Sequence, residues 1–271
     1  MTISYPRNKP RVYLSPQYLE TRIQKQKNMT SLQNSKSGKI NSSLLSTFSL
    51  RPYCRFIYDQ GSLGSCTANA YASAYCIMEY KKYKRIRHQP SRLFFYFIER
   101  WMENQYQLEG LTDSGADVVD GLSYAKTFGI SSESCWPYDI SKFNIKPPLP
   151  CFNEALLHKI ADYSVLSIDD QIVNTIRQYL YRNQSPVLIA MKVFSNFEST
   201  FTSKTGLILF PKGYFLGGHE MCILGYDDLK KHFIVLNSWG NQWGDRGYCY
   251  LPYAYCNPLS NIYQVTTFSI F

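Results

Sequence analysis

Four residues in this chain are of types, and in an order, that could together perform thiol chemistry. Gln60 lies six residues before Cys66 in the run Asp59-Gln60-Gly61-Ser62-Leu63-Gly64-Ser65-Cys66. His219 follows Gly217-Gly218, and Asn237 opens the run Asn237-Ser238-Trp239-Gly240-Asn241-Gln242-Trp243-Gly244. A cysteine supplies the nucleophile and a histidine the base. An asparagine can fix the imidazole's tautomer and ring orientation without adding charge. A glutamine amide, with the cysteine's own backbone N–H, can donate to an oxyanion. That set fits acyl transfer through a thioester.

Each candidate has rivals. Most cysteines are inert and buried, a description that suits Cys76 in mid-helix better than Cys66 beside Gly61 and Gly64, where a tight turn lets backbone approach a substrate. Of the four histidines (His88, His158, His219, His232), only His219 follows small residues, and Gly218 leaves room there for substrate. His232, between Lys231 and Phe233, reads as a turn residue. Trp239 is placed to shield the histidine–asparagine bond from water. No Cys-x-x-Cys occurs, and His219 with Cys222 has no second pair to complete a zinc site, so no metal or other cofactor is expected.

The elements needed to position these groups are legible in part. Residues 66–83 carry Ala68, Ala70, Ala72 and Ala74, then Ile77 and Met78, with no Gly or Pro, as a tightly buried helix would. Its dipole would favour a thiolate at Cys66, and Lys81-Lys82-Tyr83-Lys84-Arg85 would complement its other end. Residues 91–103 and 118–128 read as two further helices. Strand-like runs follow at 187–191, 221–225, 233–237 and 248–251, His219 preceding the second. A helical half (about 51–163) before a strand-rich, barrel-like half (about 164–271) gives an α+β architecture with a cleft between.

These motifs, in this order, resemble the papain-like, cathepsin-like cysteine protease family over roughly residues 50–256. The resemblance implies a cysteine-type peptidase acting through Cys66, His219, Asn237 and Gln60, with a polypeptide as substrate. Further likeness lies in Asp113-Ser114-Gly115-Ala116, where it implies that Gly115 and Ala116 contact an extended substrate; Gly218 and Trp239 are further candidate substrate-binding residues. The stretch Gly129-Ile130 to Pro137-Tyr138 is scaffold. The chain also departs from the pattern. Leu63 replaces a cysteine and Thr67 an aromatic, which favours a reducing compartment or another disulfide pairing; the Thr67 form is closest to bacterial and giant-virus members. Glu220 stands where a small apolar residue is usual. Cys66 and His219 are 153 residues apart, against about 130–150 in the usual signature, consistent with an insertion near 142–152. The competing reading is a catalytically weak homologue that binds peptides or associates with a particle.

Composition adds limits. At 271 residues and 45% hydrophobic, the chain can build a sizeable core. Of its net charge of +9, +7 lies in residues 1–50, where eight Lys or Arg face only Glu20. That segment, with a helix over 16–27 and a linker over 30–47 bearing six serines, is expected to be a propeptide acting as an intramolecular inhibitor, ahead of a peptidase domain at 51–271. Nucleic-acid binding by its charge is the weaker alternative. No run suits a membrane span, and residues 1–14 lack the apolar stretch of a signal peptide. These features favour an intracellular or virion-associated setting.

Overall fold

The computed structural model describes Tyr13, residues 44–256 and residues 261–271. The expected helix over 16–27 lies outside them. The first helix, α1 (Cys66–Tyr83), keeps the bounds its sequence implies, ending at Lys84 in the left-handed conformation. Its alanines let neighbours pack close, and most of its residues are buried. Helix α2 (Arg92–Glu103) begins where the Ser91 hydroxyl accepts from the Phe94 N–H. Helix α3 (Val118–Thr127) begins where Asp117 accepts from Val119. Such caps satisfy amides that a helix start leaves without partners. Gly121 sets how closely α3 rides on α2: a Cβ there would lie 2.3 Å from the Phe95 ring.

Three further helices follow: α4 (Leu149–Ala155), α5 (Ile172–Asn183) and α6 (Thr200–Thr205). A disulfide joins Cys135 to Cys151 at the start of α4, with Cα atoms 5.9 Å apart. The other six cysteines are free thiols.

The strands are β1 (Thr47–Ser49), β2 (Ile160–Val165), β3 (Val187–Phe194), β4 (Phe215–Asp227), β5 (His232–Leu236), β6 (Tyr248–Pro252) and β7 (Ile262–Ile270). They pair antiparallel in the order β2-β7-β3-β4-β5-β6, with β1 on the far end of β4. Strand β4 extends beyond the run expected at 221–225. It begins at Phe215, so His219 sits within the strand, opposite Met191 of β3. His232, expected in a turn, is the first residue of β5 and is buried.

Side chains alternate across β4. Cys222 and Leu224 join a core shared with α1, α2 and α3, whereas Met221 and Ile223 join a second core with α5 and the Trp239–Trp243 pair. The sheet therefore separates two cores. The helices of the first half cover one face of it, and α5 with the Trp239–Trp243 pair covers the other.

Candidate active site

Cys66 is the first residue of α1. The preceding Ser65 makes no side-chain cap, which leaves the first turn's amides and the positive end of the dipole near the thiol. Burial pushes the Cys66 thiol up to about 12, and the carboxylates of Glu220 and Glu99 act in the same direction. Backbone hydrogen bonds from Glu220 and Thr67 oppose the rise. The amide after His219 therefore reaches the thiol, bringing the His219 segment of β4 against the start of α1.

The imidazole is oriented from behind. His219 Nε2 lies 2.8 Å from Asn237 Oδ1. That same oxygen accepts from the Ser238 N–H at 2.8 Å, which identifies it as the acceptor end of the amide. Nε2 must then carry the proton, and Nδ1 is the nitrogen left to exchange one with a thiol. Trp239 lies over the ring at 5.0 Å between centroids, and Phe197 packs against both Trp239 and Trp243. Phe197 has no motif around it, and sequence reasoning missed it.

Gln60 reaches the same place through backbone pairing. Its N–H donates to Ser238 O, and Gly240 N–H donates to Tyr58 O, so the loop before Cys66 lies along the loop that carries Asn237. The Ser238 hydroxyl donates to Gln60 Oε1 at 2.6 Å, and Gln60 Nε2 donates to Leu63 O at 2.9 Å. An amide NH2 has two hydrogens; Leu63 takes one, and the other remains for a ligand. Ser238 was not foreseen as a functional residue, since serine inside Asn-Ser-Trp-Gly carries no signal of its own.

Gly115 and Ala116 are brought near through Asp113. Its carboxylate accepts from the Gly64 N–H at 2.9 Å and from the Tyr96 hydroxyl, which in turn accepts from the Gly115 N–H at 3.2 Å. The glycine-rich loop and the 113–116 segment thus share one anchor. Gly218 lies in β4 opposite Lys192, adjacent to His219. Cys66, Gln60, Gly218, His219, Asn237 and Trp239 thus gather around the start of α1, and Gly115 is tied to the same loop through Tyr96 and Asp113; Ala116 follows it in the chain and is buried. Among the described residues, no group of three or more His, Cys, Asp or Glu side chains is arranged to hold a metal ion.

One residue of the N-terminal segment also reaches this place. The Tyr13 ring stands edge-on to His219 at 6.3 Å and to Trp239 at 6.4 Å, and its hydroxyl donates to Glu198 Oε1.

Comparison with known proteins gives the chain's family. The sequence profile described as papain family cysteine protease matches residues 51–265. The chain belongs to the papain family of cysteine proteases. Within that family it is 40% identical over 205 residues to an uncharacterised peptidase C1-like protein of Acanthamoeba polyphaga mimivirus, covering 73% of this chain and 64% of that one. It is 26% identical over 202 residues to a cysteine protease of Blomia tropicalis, covering 72% and 56%. The chain thus spans less than two thirds of either relative. Among solved structures, xylellain, a cysteine protease from Xylella fastidiosa, superposes with a TM-score of 0.78 at 28% identity, covering 100% of both chains. The α+β papain fold, with a helical half and a strand-rich half, is the architecture seen here.

Proposed function

We propose that this papain-family chain hydrolyses peptide bonds, with Cys66 as nucleophile and His219 as base and then acid. The observation that carries the reading is the imidazole held by Asn237 through Nε2 beside a cysteine at a helix N-terminus. In the reaction, Nδ1 takes the thiol proton and the thiolate attacks the substrate carbonyl. The oxyanion is held by the remaining Gln60 amide hydrogen and the Cys66 backbone N–H. His219 then gives the proton to the departing amine, leaving a thioester on Cys66. Water, activated by the same imidazole, attacks the thioester and restores the thiol. Gly115, Ala116 and Gly218 serve as the walls along which the peptide lies.

The chain is made as a zymogen on this reading, its N-terminal segment covering the cleft. Support comes from Tyr13 standing against His219 and Trp239. The second reading, a weakly catalytic peptide binder, is favoured by the burial that raises the Cys66 thiol.

One experiment separates the two. Wild type and Cys66→Ala are incubated with an epoxysuccinyl thiol-protease inhibitor, before and after loss of the N-terminal segment, and examined by intact mass. The expected result is one adduct on wild type after that loss, little before it, and none on the mutant. No adduct in any form would overturn the peptidase reading. Equal labelling before and after loss would overturn the zymogen.

A further inference from the structure

Resting on the peptidase reading, we infer that Glu198, with the rings of His219 and Trp239, forms a subsite that selects tyrosine on the leaving-group side of the cleaved bond, and that Tyr13 occupies it in the intact chain. The position follows from the chemistry. The imidazole that protonates the departing amine must lie on that amine's side of the thiol. A side chain held against His219 and Trp239 therefore belongs to the residues after the scissile bond. Tyr13 shows what fits there: its ring meets both aromatic groups edge-on, at interplanar angles of 82° and 72°, an arrangement that aromatic pairs prefer.

The phenol adds a feature that phenylalanine lacks. Its hydroxyl donates to Glu198 Oε1, and a hydrogen bond to a charged acceptor is about twice as strong as a neutral one. Glu198 is held in place from below. It ends the 3-10 turn Ser195–Glu198, whose Phe197 is buried against His219, Trp239 and Trp243. The turn is thus pinned into the aromatic cluster behind the catalytic histidine, while its last side chain stays exposed at the rim. A carboxylate at that rim repels acidic side chains. The aromatic walls favour a flat ring over a lysine stem. Tyrosine carries its donor at the far end of the ring, where Tyr13 meets Glu198; the N–H donors of tryptophan and histidine lie on the ring itself and do not reach as far.

The test uses the chain after loss of its N-terminal segment, the form expected to label at Cys66, so that Tyr13 no longer occupies the subsite. Matched quenched peptides carry Tyr, Phe or Glu immediately after the cleaved bond. The expected kcat/KM for Tyr exceeds that for Phe by about fivefold, with Glu lowest, the size of one partly exposed charged hydrogen bond. Adding Glu198→Ala brings the Tyr-to-Phe ratio to within about twofold. A ratio that Glu198→Ala leaves unchanged, or no preference for Tyr at the outset, overturns the inference.

If Cys66 takes no epoxysuccinyl label and nothing turns over, the peptidase reading has failed. The subsite is then judged by binding alone. A peptide of residues 9–17 and its Tyr13→Phe version are titrated against full-length Cys66→Ala/Tyr13→Ala. A severalfold weaker Phe version, equalised by Glu198→Ala, supports the subsite. Equal affinities overturn it.

Discussion

Ser238 holds the Gln60 amide by a single hydroxyl, and that dependence is measurable. Gln60→Ala is expected to lower kcat by about 10²–10³, as loss of one oxyanion donor does. Ser238→Ala leaves the donor present but badly aimed, so a loss of about tenfold is expected, one hydrogen bond's worth. The double variant should be no slower than Gln60→Ala, since both act through one amide; on the proposed mechanism, steady-state kinetics of peptide cleavage check this. A second prediction concerns Glu220, whose carboxylate raises the Cys66 thiol. Glu220→Gln removes that charge, so the thiolate persists to lower pH. The midpoint of Cys66 alkylation by iodoacetamide should move downward, and an upward or absent shift would contradict it. At this scale the sequence was informative wherever chemistry demands a rare residue type in a fixed order. It was silent on the roles of Ser238 and Phe197, and quoted Asp113 only as part of a motif, because these residues act through partners far along the chain.

Among the elements, the first two helices were legible because their alanine or aromatic spacing repeats, and the second and third begin at the Ser91 and Asp117 caps. Helix α5 was not, since Ile172, Val173, Thr175 and Ile176 crowd a helix with β-branched residues. Strand β7 was missed for a different reason: Gln264, Thr266 and Thr267 are buried polar residues, so neither face reads as apolar. The glycine pair before His219 concealed the first half of β4. Strand β1 depends on another glycine. A Cβ on Gly225 would lie 2.2 Å from Phe48 O, so Gly225→Ala must push β1 from β4. A loss of about 2 kcal/mol is expected, read as a lower Tm and faster proteolytic cutting within residues 44–50. An unchanged cutting rate would show β1 to be held by other contacts.

Over the whole molecule, acid is expected to weaken the fold through His88. It is buried, stacked on His158 at 3.8 Å, and lowered to about 3 by burial and then by His158, against the pull of Glu154. Between about pH 3 and its ordinary value of 6.5, the unfolded chain binds a proton that the folded chain refuses. Stability therefore rises with pH across that window and falls as pH drops below 6.5. The loss at pH 5 should be about 2 kcal/mol, and His88→Gln should flatten the dependence of Tm on pH between 7 and 5. A single sheet with a core on each face has one more consequence, which concerns alignment. Along β4, alternate side chains serve different halves: His219 meets the Trp239 cluster, while its neighbour Glu220 projects from the opposite face. A slip of one residue against β3 would exchange them, presenting a carboxylate where a base is needed. The irregularities at Val193/Phe194 and at Ile223/Gly225 bracket His219 on both sides, so a slipped strand would have to move two bulges as well as its ladder, which favours the alignment that sets His219 beside Trp239.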